Sequence, residues 1–330
     1  MEQKVLRMSA GLVVLALVIR LLSSPLPGQM AELFTAPTLT SLLLFLETGY
    51  AIRPVCVTFS EPAEQEAPQP EQTEPPATDP ESIPQVFSQT DAQLLELSGV
   101  SCPVDVEALI AAPLEWDLYA DGPQVLIIHS HGSESYENTE GYTESADYRT
   151  LDTDYNMVSV GALVAEQLTG AGIEVIHDRT LHDQPSYNDA YVSSRQAVQA
   201  YLAQYPTIRL VLDLHRDSYE DAAGNQVGSA AQDPSVAKLM LVVGTDYGGL
   251  EHPGWQENLA LAAKLQLQLQ RLCPGICRPV NLRSQRFNQD VSPGALLVEV
   301  GSAGNTRQQA LRAAEVLAEA IVDLASGANY

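Results

Sequence analysis

The sequence predicts an α/β fold with a mostly parallel sheet and helices on both faces. Two observations carry this. Short apolar runs of strand length alternate, across residues 104–330, with longer runs whose apolar residues recur at helical spacing. Several of the short runs also end in side chains that bind or titrate, which is where open α/β sheets place their ligands. No internal repeat interrupts the alternation.

The elements follow in order. Val125 to Ile128 reads as a short buried strand that runs into His129-Ser-His131-Gly132. Residues 156–168 read as a helix, with Met157, Val160, Val164 and Leu168 on one face and Gly170 and Gly172 ending it. Ile173 to Ile176 is a second strand and Asp189 to Leu202 a second helix, with Tyr191, Val198 and Leu202 inward. Ile208 to Leu214 is a third strand ending at His215, and Leu239 to Val243 a fourth. Trp255 to Leu272 is a helix that aligns Leu261, Leu265, Leu269 and Leu272 and stops at Pro274-Gly275. Ala295 to Val300 is a fifth strand, with Glu299 near its end. Thr306-x-x-Gln309 has the capping-box pattern and opens a last helix with Ala314, Leu317, Ile321 and Leu324 on one face.

The chain before this domain divides into three parts. Residues 1–26 carry a basic flank, Lys4 and Arg7, then an apolar run from Met8 to Ile19, and read as an uncleaved membrane anchor with its start inside. Residues 27–60 hold a second apolar stretch, Leu33 to Leu46, broken by Pro37, and form a membrane-proximal segment. Residues 61–103 are an acidic linker rich in Pro, Glu, Gln and Thr, with too little apolar content to offset the entropy of ordering. An anchor followed by an extended spacer places the domain outside the cytoplasm, reaching away from a membrane.

The formal net charge of the 330 residues is −25, and no Lys or Arg occurs from Pro54 to Tyr148. Such a surface repels phosphate backbones, so nucleic acid is excluded as a partner. The four cysteines, Cys56, Cys102, Cys273 and Cys277, lack zinc-finger spacing. Pairs 56–102 and 273–277 are open as disulfides; the alternative is four free thiols.

Three strands end in His131, His215 and Glu299. A catalytic zinc takes three protein ligands from His, Asp, Glu or Cys and keeps an open position, so two histidines need a carboxylate beside them. The neighbouring acids are Glu134, Glu140, Glu144, Asp147, Asp152 and Asp154. Residue by residue, a histidine at a strand end is more often a structural hydrogen-bonding group than a ligand, and spacing alone does not choose among these acids.

The surrounding runs narrow the choice. They are His129-Ser-His131-Gly-Ser-Glu134-Ser-Tyr136, Arg149-Thr-Leu-Asp152-x-x-x-Asn156-x-Val-x-Val-Gly161, Ile176-His177-Asp-x-Thr-x-His182-Asp-x-Pro-Ser-Tyr187, Asp213-Leu-His215-Arg216-Asp217, His252-Pro-x-Trp255-x-x-Asn258, Asn288-Gln-Asp290-x-Ser-Pro293 and Leu297-Val-Glu299-Val-Gly301-x-x-x-Asn305-Thr. Together, over residues 120–325, they resemble the stage II sporulation protein P family, a sporulation branch of the zinc-dependent N-acetylmuramoyl-L-alanine amidases. The resemblance implies an amidase-like fold and Zn2+ as cofactor. It implies peptidoglycan as substrate, cut between the muramic acid lactyl group and L-alanine, with cleavage of peptide cross-links as a further activity. It also implies a membrane-anchored enzyme in the intermembrane space of the sporangium during forespore engulfment, beside a glycan-cleaving partner, a lytic transglycosylase.

Carried over position by position, His131 is the first metal ligand, with His129 as its rival. The broader amidase family places a Glu four residues before an Asn; here Asp152 precedes Asn156 by four, so Asp152 is the implied carboxylate ligand, with Glu134 and Glu144 as rivals. His215 is the third ligand and Glu299 the catalytic base. Arg216, His182, Asn288, Gln289 and Asp290 are candidates to face substrate, and for Arg216 a structural pairing with Asp213 or Asp217 is the favoured alternative. His177 and His252 read as structural. The competing reading is a wall-binding or scaffolding module with a degenerate site; both histidines together with Glu299 argue against it.

Overall fold

The structure is a computed structural model that describes residues 95–327 apart from 112, 115, 138 and 140. The expected anchor, the membrane-proximal segment and most of the linker lie outside the described residues. Among the described residues no helix is long and apolar enough to cross a membrane.

Seven strands form one sheet. In chain order they are β1 Leu97–Gly99, β2 Val125–Ile128, β3 Val175–His177, β4 Leu210–Asp217, β5 Leu239–Gly244, β6 Val280–Arg283 and β7 Ala295–Ser302. The helices are α1 Val106–Ala111, α2 Met157–Gly170, α3 Ala190–Gln204, α4 Trp255–Leu272 and α5 Arg307–Ser326. The spatial order is β1-β6-β5-β7-β4-β2-β3. All neighbours pair in parallel except β5 and β7, which are antiparallel. The sheet is therefore two parallel blocks running in opposite directions, a mixed sheet rather than a simply parallel one.

The expected strands and helices are present, with boundaries shifted by a few residues. Two strands were not expected. β6 is four residues long, and β1, which pairs with it from Leu97↔Val280 to Gly99↔Leu282, lies inside the stretch assigned to the linker. The sheet thus starts before residue 104. Both strands are too short for a periodic signal, and β1 ends in a glycine at φ +90° whose Cβ position is filled by the Leu282 carbonyl.

Strand alternation gives the sheet two unlike faces. On one face Val125, Ile127, Leu210, Leu212, Leu214, Leu296, Val298 and Val300 pack against α2, α4 and α5 in a single large core. The other face carries a smaller cluster, Leu126, Ile128, Val211 and Ala295, covered by Val198 of α3. Further along it, Met240, Val242 and Leu297 meet Phe287. The α4 helix is buried nearly all round because α1 covers its outer side through Ile110, Ala263 and Leu267. Two of the helix starts are capped by side chains: Asn156 accepts from the Val158 N–H, and Thr306 and Gln309 form the reciprocal capping box. Cys102, Cys273 and Cys277 are free thiols, so the 273–277 pair is not bridged.

Candidate metal centre

The centre sits on the sparsely covered face. Leu210, Leu212 and Leu214 of β4 point into the large core, so the residues between them, Val211, Asp213 and His215, point to the other face. The same parity in β7 sends Leu296, Val298 and Val300 inward and Leu297 and Glu299 outward. Register then sets His215 directly beside Glu299 in the parallel β4–β7 pair. Two central strands thus deliver a histidine and a carboxylate to one spot.

The loop after β2 supplies the rest. Ser130 donates from its N–H and its hydroxyl to Asp213, at 2.8 and 2.5 Å, which folds the chain back toward β4. The Glu134 N–H closes a tight turn onto the His131 carbonyl at 3.2 Å. His131 Nδ1 lies 3.9 Å from one Glu134 oxygen, and His215 Nδ1 lies 3.7 Å from the other. One potential ligand atom from each of His131, Glu134 and His215 falls within 4.8 Å of the others. Two imidazoles and a carboxylate form the donor set of a catalytic zinc site.

Buried partners hold His215 and Glu134. Asp213 Oδ1 lies 2.9 Å from His215 Nε2, leaving Nδ1 toward Glu134, the arrangement by which a carboxylate orients a ligating imidazole. Arg216 donates its backbone N–H to Glu134 at 3.1 Å, and its guanidinium donates to the carbonyls of Ser135 and Tyr148. Glu299 keeps slight solvent contact as a residue, but its Oε2 is sealed and has no hydrogen-bond partner. An orphaned buried carboxylate oxygen on the residue paired with His215 is where a protonated ligand or a water would be satisfied, and the residues present fit a divalent metal.

The electrostatics follow from burial. Burial, aided by the charge of His215, lowers His131 to about 4, keeping it neutral. Burial also disfavours the charged form of His215, but Asp213 outweighs it and raises the group to about 10. Burial would raise Asp213, yet His215 and the Ser130 hydrogen bonds hold it down at about 2. Burial pushes Glu299 well above the usual carboxylate range; His215 opposes this and Glu134 adds to it.

The remaining expected residues fall elsewhere. Asp152 is exposed, and its carboxylate accepts the Asp154 N–H; the structure brings Glu134, not Asp152, to the histidines. Glu144 is not in the group either. His129 follows the parity of Val125 and Ile127 and turns toward α2, with Nδ1 on the Leu214 carbonyl at 3.1 Å and Nε2 on His177 Nε2 at 2.9 Å. The groups expected to face substrate are engaged within the fold. Arg216 grips Glu134 and the loop rather than Asp213 or Asp217; Asp217 pairs with Arg278. His182 bonds Asp178 and Ser193. Asn288 donates to the Tyr191 carbonyl, Gln289 spans Gly244 and Val242, and Asp290 forks onto Arg195. His252 bonds Asn258, which ties α4 to the carbonyls leading into β7, as a packing residue does.

Sequence reasoning missed the aromatic frame around the histidines. Tyr187 stacks on His131 at 4.2 Å between ring centroids and 14°. Tyr191 meets His131 edge-on at 5.2 Å and stacks on His215 at 6.2 Å. Tyr191 was legible only as an inward residue of α3, and Tyr187 only as the end of a motif run, with no role attached.

Comparison with known proteins adds the following. The family model described as stage II sporulation protein P matches residues 54–322. A relative, stage II sporulation protein P of Bacillus subtilis (strain 168), is 26% identical over 216 residues, covering 62% of this chain and 51% of that protein. The chain thus spans about half the length of that relative. Among solved structures, the N-acetylmuramoyl-L-alanine amidase AmiC2 of Nostoc punctiforme is 15% identical, with 62% of this chain and 98% of that one covered, at a TM-score of 0.37. The amidase Ami1 of Mycobacterium abscessus is 16% identical, with the same coverage and TM-score. An N-acetylmuramoyl-L-alanine amidase of Clostridium difficile 630 is 14% identical over 62% of this chain and 97% of that one, at 0.36.

Proposed function

The chain belongs to the stage II sporulation protein P family, and from that premise we propose that it is a zinc-dependent peptidoglycan hydrolase, an amidase cutting between the lactyl group of muramic acid and L-alanine. The observation that carries the reading is the His131–Glu134–His215 group with Glu299 beside it, one oxygen of which lacks any partner.

His131, Glu134 and His215 would hold the zinc. Bound there, the ion supplies Lewis acidity toward a water and a carbonyl oxygen. The protein's own groups do the rest. Asp213 fixes the His215 ring, and Arg216 fixes the Glu134 carboxylate and the loop that carries it. Glu299 Oε2 accepts the proton of the attacking water and returns it to the amide nitrogen as the C–N bond breaks. Burial that raises the Glu299 carboxyl strengthens it as a base once ionised. Action in engulfment from a membrane-anchored position, cleavage of cross-links and cooperation with a glycan-cleaving partner belong to the same proposal and rest on family membership.

The test is digestion of purified sacculi by the full chain, read by mass spectrometry. Free lactyl ends and peptides beginning with L-alanine are the expected products. Products opened only within the peptide would move the activity to cross-links. Glu299→Gln should release nothing while binding zinc as the wild type does; hydrolysis by that variant removes Glu299 from the mechanism.

A further inference from the structure

A cleft of about 300 Å³ opens beside the metal centre, lined among others by Ser133, Arg149, Leu151, Asp183, Pro185 and Tyr187. Its wall is continuous with the ligand loop. The Ser135 N–H donates to the Tyr148 carbonyl and the Thr150 N–H to the Ser133 carbonyl, both at 2.8 Å, setting Arg149 opposite Glu134.

Three features make it more than a surface dent. The Arg149 guanidinium lies 3.9 Å over the Tyr187 ring, which stacks in turn on His131. The Arg149 Nε has no hydrogen-bond partner, and its ion pair among the described residues is a 3.7 Å contact with the largely exposed Asp147, a geometry that contributes little. Besides its contact with the Tyr187 side chain, this cation in a chain of net charge −25 has donors left for a ligand. Second, Asp183 is 1% exposed and spends Oδ2 on the Ser133 N–H and hydroxyl, yet its Oδ1 has no partner. Such an oxygen is costly unless a ligand satisfies it. Third, Leu151 and Tyr187 are among the exposed large apolar residues and both line this cleft.

We propose that this cleft binds the peptide leading away from the cleaved amide, with Arg149 taking a free carboxylate about two residues beyond that bond and Asp183 taking a ligand N–H. The inference rests on the hydrolase reading and names the substrate feature it selects. The spacing follows from the stack: Tyr187 separates Arg149 from His131, and an extended peptide advances about 3.5 Å per residue. The planar guanidinium, held over an aromatic ring, presents its N–H groups in the fork that a carboxylate matches.

The test uses the zinc-loaded full chain carrying Glu299→Gln, so that nothing is cleaved. Calorimetry measures binding of two muramoyl-peptides that differ only in whether the second residue bears a free carboxylate or its amide. The acid should bind about tenfold tighter, as expected for charge-assisted hydrogen bonds. Adding Arg149→Gln should erase the preference by weakening the acid alone, and Arg149→Lys, which keeps the charge but not the fork, should leave part of it. Equal binding of both peptides by the parent, or a preference that survives Arg149→Gln, overturns the proposal. Should Arg149→Gln not fold, a preference identical in Arg149→Lys and insensitive to salt overturns it as well. Cleavage of sacculi by the wild type with no such preference would sink the subsite and leave the hydrolase standing; a preference without cleavage would do the reverse.

Discussion

The two faces of the sheet are built from the same strands and do opposite work. On the face covered by α2, α4 and α5, β4 and β7 present Leu210, Leu212, Leu214, Leu296, Val298 and Val300, all buried in one core. On the face covered by α3, the residues in between change from Val211 and Ala295 to Asp213, His215 and Glu299 toward the ends of the strands. A parallel strand buried on both sides is usually apolar throughout. Here polarity enters toward the strand ends, beneath Tyr191 of α3, so one face supplies rigidity and the other carries the titratable groups.

The largest stability effect should come from the apolar face. Leu212→Ala, at a fully buried position, should cost about 2–5 kcal/mol in urea unfolding. A loss far below that range would mean the large core does not brace the strand that carries His215.

Gly161→Ala tests the boundary between the faces. A Cβ at Gly161 would lie 2.5 Å from His129 Nε2 and 2.8 Å from His177 Nε2. The histidine pair must shift, at about 1–3 kcal/mol, and because His129 is two residues from His131, zinc affinity should fall with stability. A stable variant with unchanged zinc affinity would uncouple the pair from the centre.

The remaining effect belongs to the polar face and depends on pH. Burial raises the Glu299 carboxyl from 4.5 to about 8 in the folded chain. The native state therefore holds this proton more tightly than the unfolded chain. Its contribution is fully present below the unfolded value and is lost as pH rises through the folded one. In metal-free protein, Glu299→Gln should gain stability relative to wild type between about pH 5 and about pH 9. A constant offset between the two unfolding curves would show that Glu299 is not perturbed by burial.

The alternation of strands and helices was legible because both periods are local. So were His131, His215 and Glu299, since a strand end is a local feature. The parity of Val125, Ile127 and His129 also separates His129 from the centre, once α2 is known to cover that side. The choice among the acids was not legible: Glu134 stood only as a rival to Asp152. Asp152 was expected from its spacing to Asn156, but Glu134 reaches the histidines through the β-bridge to Arg149 and the bonds from Arg216, contacts that span long stretches of chain. The polar run Asn288-Gln289-Asp290 looked substrate-facing for the same reason, since its partners Tyr191, Gly244 and Arg195 are distant in sequence. β1 and β6 were too short to show a period at all.

If His131, Glu134 and His215 hold the metal, Glu134 is the ligand whose loss separates this site from one built on Asp152. Zinc content of the purified full chain, measured side by side for Glu134→Gln and Asp152→Asn, decides between the two. Glu134→Gln should lose most of its zinc while Asp152→Asn retains the wild-type amount. Full zinc in Glu134→Gln together with loss in Asp152→Asn would contradict the assignment to Glu134.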